Sequence, residues 1–434
     1  MAKRGPITGI GIVAAALLCL AAACGGGVSG STSTSSSVPI SSTPTSSGPT
    51  STTPSGPTPG VTAKTITVGN VSTTGGIVPG LFLGAQVGVQ AYFDYINSTG
   101  GVDGRKLVVD DRDDELFCTN NKSETLALLP SVLAFVGSFS IWDSCGGAVI
   151  PPTIANISNS LDPVVTKLPN TFSPQPIQNG WGTGPLLWLK QHHPGAIGHV
   201  GALVGDVTTV QNSWAGEEYV LEQEGFHISV VESYTPGQTQ FAADVIKMQQ
   251  EGVQLVLLDQ ADVGAIAAFV DAMQLQGFHP EVIVNSGSAY DGSFVAKAGA
   301  PAAGTVLVNL HESLYLGQDA SSVPEVKLFD HWINVAHSGY TPDIYSVFGW
   351  ASAMLLVEAL DKAGPDPDRA SLLTALRAIH SFDAGGLLAP DDPASKTPPD
   401  CFLIARVVNG QWQRVTPSSG FMCSGSYIYD PKLP

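Results

Sequence analysis

From Thr65 onward, short apolar runs alternate with longer segments whose apolar residues recur every three or four positions. The runs TITVGNV (Thr65–Val71), KLVVDD, VLAFVG (Val132–Gly137) and PTIANIS read as strands. Gly84–Asn97 and Glu124–Leu129 read as helices between them, the first stopped by Gly100-Gly101. The rhythm restarts after a helix ending near Lys190. Buried strands are then predicted at Gly198–Asp206, His227–Val231, Val253–Asp259, Glu281–Asn285 and Gly304–Asn309. Helices at Trp214–Glu224, Phe241–Gln250 and Asp262–Gln276 separate them, followed by helices near Pro324–His337, Ile344–Lys362 and Arg369–Ala378. The closing CFLIARVVNGQWQRV is a hairpin turning on Asn409-Gly410. This alternation predicts an α/β chain with two doubly wound, Rossmann-like lobes, their parallel sheets covered by helices on both faces. Ligands of such sheets sit beyond the carboxyl ends of the strands, which directs attention to the cleft between the lobes.

The pattern before residue 61 is different. Lys3 and Arg4 precede an apolar stretch, Ile7–Leu20, that is short for a membrane span and ends in Ala21-Ala22-Ala23. Residues 1–23 therefore read as an export signal. Residues 25–60 hold 33 Ser, Thr, Pro or Gly among 36 and no charge, a composition with little to bury, expected to form a flexible tether. Cys24 stands at the seam. No uninterrupted apolar run near 18 residues follows it.

The formal charge is −18, and −20 once Lys3 and Arg4 are removed. Such an excess of acid argues against nucleic acid and against docking on anionic lipid. Beyond Cys19 and Cys24, four cysteines remain, Cys118, Cys145, Cys401 and Cys423. In an exported chain these predict two disulfides with three possible connectivities. Pairing of neighbours would close loops worth roughly 3 kcal/mol each. No CxxC or His pair at ligand spacing accompanies them, so no metal site is expected.

Catalytic motifs are missing: there is no HExxH, G-x-S-x-G, GxGxxG or Walker lysine loop. DDRDDE (Asp110–Glu115) lacks the spacing of a calcium loop and reads as a solvated strand end. The strand ends instead offer hydroxyls and amides: Thr73 and Thr74 after the first strand, Ser138 and Ser140 near Trp142, then Ser158 and Asn159. Each could simply cap a helix. Three such loops at one end of one sheet also suit a binding surface for a small polar or anionic group.

The stretch INSTGGVDGRKLVVDDRDD (Ile96–Asp114) resembles the type I periplasmic solute-binding proteins of ABC transporters, in the leucine/isoleucine/valine-binding group. The resemblance continues through STTGG, LAFVGSFS, YTPGQTQFAADVIKMQQEGVQLVLL and GWASAMLLVEALDKAG, and spans 64–434. It implies two lobes joined by three crossing segments, lobe 1 about 64–185 and 311–390, lobe 2 about 186–310 and 391–434. It implies no enzyme activity and no cofactor, but a monomeric receptor that delivers a small polar solute, such as a branched-chain amino acid or a related amide or organic acid, to a permease. A disulfide in the amino-terminal lobe of the family is similar to what Cys118 and Cys145 would make. The carboxylate and amine of the ligand would fall to Ser138–Ser140 and Ser158–Asn159. The Thr73–Phe82 loop would form the near wall, with Phe82 as an aromatic contact and Trp214 facing it from the second lobe. The acid that grips an ammonium in the family is replaced by Ser286 and Ser288, with Asp262 as a substitute. Cys24, in Leu20-Ala21-Ala22-Ala23-Cys24, resembles a lipobox cysteine and implies acylation and anchoring at the outer face of the membrane. The rival readings are a ligand-sensing surface protein on the same fold and, with less support, a secreted hydrolase.

Overall fold

The structure, a computed structural model, describes residues 57–432. The signal segment, Cys24 and the tether as far as residue 56 lie outside the described residues.

Lobe 1 grows from β1 (Thr65–Ser72), whose Ile66, Val68 and Val71 are buried. Apolar side chains on both pleats require cover on both faces. The other strands are β2 (Lys106–Asp113), β3 (Phe135–Val136), β4 (Asn156–Ile157) and β5 (Thr171–Phe172). They lie parallel in the order β2-β1-β3-β4-β5. Helices α1 (Leu83–Ser98), α2 (Cys118–Leu128), α3 (Asp143–Gly147) and α4 (Pro163–Thr166) make the crossovers that parallel strands need. β3 and β4 are shorter than their apolar runs. The ladder still continues past β3, because Leu133 donates to Thr67 and Gly69 to Ala134.

Lobe 2 follows β6 (Gly180–Gly182) and α5 (Thr183–His192). Its strands are β7 (Val200–Gly205), β8 (Ile228–Tyr234), β9 (Leu255–Leu257), β10 (Val282–Asn285) and β11 (Val306–Leu310). Between them run α6 (Thr208–Gln223), α7 (Ala242–Gln250), α8 (Val263–Gln276), α9 (Phe294–Ala298) and α10 (Ala300–Ala303). The chain then supplies α11 (Pro324–Ala336), α12 (Ile344–Ala363) and α13 (Arg369–Leu376), of which α12 packs on α1 in lobe 1. Last come β12 (Cys401–Val408), β13 (Gln411–Thr416), β14 (Met422–Cys423) and β15 (Tyr427–Tyr429). The second sheet runs β13-β12-β11-β10-β9-β7-β8, parallel from β8 to β11, with β12 and β13 added antiparallel. The β12–β13 turn is Asn409-Gly410, both at positive φ as a tight hairpin turn requires. β15 pairs with β6, which carries the end of the chain back to the cleft.

Three elements differ from the sequence reading. Helices α2 and α6 start at Cys118 and Thr208, each six residues ahead of the expected Glu124 and Trp214, because the polar CTNNKS and TTVQNS segments form their first turns. Helix α12 is long and apolar enough to cross a membrane, yet 67% of that stretch is buried within the fold. Of the three possible cysteine connectivities, the structure has Cys118–Cys145, joining α2 to α3, and Cys401–Cys423, joining β12 to β14.

The chain crosses between the sheets three times: after β5, after β11 and before β12. These crossings are tied together. Gln175 Nε2 and the Ala389 N–H both donate to the His311 carbonyl, and Gln178 Nε2 donates to that of Lys396. Lys396 Nζ in turn donates to the carbonyls of Thr166 and Leu168 in lobe 1.

Candidate functional site

Where the carboxyl ends of the two sheets face each other lies a cavity of about 290 Å³. Lobe 1 contributes Val78, Leu81 and Phe82 after β1, Phe139 and Ile141 after β3, and Asn159 and Leu161 after β4. Lobe 2 contributes Val207, Val210 and Ser213 after β7, Tyr234 and Pro236 from β8 onward, Asp259–Asp262 after β9, and Ser286 and Ser288 after β10. The crossings add Gln175, Asn309, His311, Glu312, Pro398 and Pro399, and α12 adds Ile344, Tyr345 and Phe348.

The wall is mostly apolar, with an aromatic cluster at one side. Phe82 stands edge-on to Phe139 and Tyr345, with ring centroids 4.8 and 4.7 Å apart, and Phe139 stacks on Phe348 at 5.8 Å. Val207 of lobe 2 packs into this cluster. Beside it, Thr209 Oγ1 donates across the cleft to the Ile141 carbonyl at 2.5 Å.

The expected site residues divide in two. Phe82, Asn159, Asp262, Ser286 and Ser288 border the cavity. Thr73, Thr74, Ser138, Ser140, Ser158 and Trp214 do not. Thr73 Oγ1 donates to Asp114 at 2.7 Å, and Ser140 Oγ donates to the same carboxylate. Asp114 also accepts from Asn121 and is fully buried, while Asp113 accepts from the backbone of Thr74, Gly75 and Glu115. Within the acidic run expected to be a solvated strand end, Asp111, Arg112 and Glu115 are exposed, whereas Asp113 and Asp114 brace the loops of lobe 1 from within. Ser138 Oγ accepts from the Val71 N–H, and Ser158 Oγ donates to Asn156. These serines border a separate space of about 20 Å³. In each loop the hydroxyl turns into the lobe while a neighbour, Phe139 or Asn159, reaches the cavity. Trp214 belongs to the core of lobe 2 with Val220, Leu221 and Leu255, and its neighbour Ser213 borders the cavity instead.

Asp262 caps α8, accepting from Gly264 and Ala265, and also accepts from Tyr234 Oη at 2.9 Å. Ser288 Oγ donates to the Ala261 carbonyl. Burial pushes the Asp259 carboxyl up to about 6, opposed by hydrogen bonds from Glu217 and Ser286. Burial and the Asp259 charge push Glu217 well up. Burial also raises Glu312, to about 7, against the Gln175 amide. It lowers His311, whose Nδ1–H donates to the Cys401 carbonyl at 2.7 Å. Among the described residues, no group of three His, Cys, Asp or Glu is placed to hold a metal ion.

Of the aromatic wall the sequence singles out only Phe82; Phe139, Tyr345, Phe348, Tyr234, His311 and Glu312 it does not. Phe139 sits inside a strand-end segment already marked as a binding loop, one position from Ser138 and Ser140, whereas Tyr234 lies in a stretch marked only by the family resemblance. The crossings carry no such mark.

No curated protein matches this sequence closely enough to count as a relative. Among solved structures, the chain is similar to a fatty acid ABC transporter substrate-binding protein from Thermomonospora curvata, with TM-score 0.73 and 22% identity over 85% of this chain and 94% of that one. It is also similar to a solute-binding protein from R. palustris in complex with benzoate, with TM-score 0.69 and 17% identity over 85% and 99% of the two chains. A branched-chain amino acid ABC transporter protein from Thermus thermophilus with bound valine gives 0.67 and 16% over 85% and 98%. These likenesses carry the two-lobed fold. A periplasmic binding protein family model matches residues 65–411, most of the chain and both lobes. With its three crossings and the cavity between two doubly wound sheets, the chain belongs to the type I periplasmic binding proteins of the ABC transporter family.

Proposed function

We propose that the chain is an exported solute receptor, held at the outer face of the cell membrane by an acylated Cys24, that captures a small solute with an apolar body and passes it to an ABC permease. The observation that carries this reading is the cavity itself, which takes walls from both lobes and from the crossings. A solute that touches both lobes favours the closed arrangement by the extra contacts it gains there. The mostly apolar wall turns the expectation of a small polar solute toward one with an alkyl or aryl portion. Proteins of the same fold named for a fatty acid, or solved with benzoate, agree with that emphasis. Lobe 1, about 64–185 and 311–390, and lobe 2, about 186–310 and 391–434, would be the two moving bodies, and the receptor would work as a monomer.

Mass spectrometry of the protein purified gently from its native membrane tests the reading. A co-purified small solute is expected, and adding it back should raise the melting temperature and shrink the radius of gyration in small-angle scattering. A purified protein that carries no solute, and whose radius no solute changes, would overturn it.

A further inference from the structure

The polar part of the cavity is lopsided. Its charged groups are all acidic, Asp259, Asp262 and Glu312, and no Lys or Arg borders it. Asp262 is occupied by its cap and Tyr234, while Asp259, beside Glu217, also keeps an Oδ1 without a hydrogen-bond partner. Glu312 is the more deeply buried of these two bare carboxyls. It is 2% exposed, it lies on a crossing segment, and its Oε2 has no hydrogen-bond partner. Asn159 is also 2% exposed, and its Oδ1 likewise has none. The two are neighbours through Gln175, whose carbonyl accepts from Asn159 Nδ2 and whose side-chain amide donates to the carbonyl of His311, the residue before Glu312. His311 adds a further acceptor, because its Nδ1–H is committed to Cys401 and burial keeps the ring neutral, leaving Nε2 bare.

Buried acceptors without partners are costly, and a ligand that brings donors relieves that cost. A carboxylate head brings only acceptors and a like charge. An ammonium brings three N–H donors and the opposite charge. The acidic surface of the chain would also draw a cation toward the cleft. Resting on the receptor reading above, we propose that the cavity takes an apolar amine, an ammonium on an alkyl or aryl body, with Glu312 Oε2 and Asn159 Oδ1 accepting from the head and the Phe82, Phe139, Tyr345 and Phe348 rings receiving the body.

An isosteric series tests this: 2-phenylethylamine, 2-phenylethanol and phenylacetate, titrated into the purified protein by calorimetry near pH 7.5. The amine should bind at least about tenfold more tightly than the other two, as hydrogen bonds to a charged acceptor allow. Glu312→Gln keeps the shape and removes the charge. It should weaken the amine by about tenfold and leave the alcohol within about twofold, a split that a purely structural role would not produce. Asn159→Ala carries the same comparison if that variant does not fold. Phenylacetate binding most tightly, or an amine affinity unchanged by both variants, would overturn the amine while leaving the receptor reading intact. No binding by any of the three would also overturn it, and the receptor reading would then rest on the co-purified solute alone.

Discussion

Burial raises the proton affinity of several carboxyls above that of the same groups in water. Glu312 and Asp143 are raised to about 7 and Asp391 to about 9, in each case chiefly by loss of solvent. Both oxygens of Asp391 lack a partner. In the unfolded chain the same groups lose their protons near pH 4. Between about pH 4 and 7 the folded chain therefore binds more protons than the unfolded one, and stability must fall as pH rises through that window. Urea denaturation should give an unfolding free energy about 1–3 kcal/mol lower at pH 7.5 than at pH 5.5. A rise instead would mean that these groups are ionised in the fold. The same residues show why the site was only half legible in the sequence. Hydroxyls at strand ends cap loops and bind ligands with the same chemistry, so Ser138, Ser140 and Ser158 looked like Asn159, and only packing separates them. The partnerless state of Glu312 is a fact about its surroundings, to which residue type gives no access.

Helices α1 and α12 meet almost backbone to backbone. A Cβ on Gly88 would lie 2.1 Å from the Ser346 carbonyl oxygen, and one on Gly349 would lie 2.2 Å from that of Ala85. Trp350 is buried next to this contact, edge-on to Tyr92 at 4.8 Å, with its Nε1–H donated to Glu325. Gly349→Ala must push the helices apart, and overpacking of this kind should cost about 1–3 kcal/mol in a thermal melt. An unchanged melting temperature would show that the pair has slack. Because α12 also carries Tyr345 and Phe348 to the cavity wall, the shift would reach the site. At this scale the sequence was most readable. The long helices and the strands of lobe 2 announce themselves by period. β5, β6, β14 and β15 have two or three residues each, too few to show one, and they are set by partners far along the chain. The polar start of α6 escaped for a similar reason, since its place is fixed by tertiary packing.

As a whole, the proposed receptor would divide its work between an address and a cleft. If Cys24 is acylated, Cys24→Ala should move the protein from the membrane pellet to the soluble fraction after cell lysis, and a variant that stays in the pellet would sink the anchor. The two-lobed plan was legible from the restart of the strand–helix rhythm and from the family pattern. The cavity wall was less so, because it gathers Phe82, Tyr234, His311 and Tyr345 from across the chain and passes through crossings that carry no period. How long a solute stays is a separate matter from how tightly it is held. Thr209 is buried and bonded across the cleft to Ile141, with Val207 packed beside it, so the lobes part only after that clasp opens. Under the receptor reading, release would then depend on Thr209, which does not border the cavity, and the dwell time of the cargo could be tuned there without redrawing the chemistry of the wall.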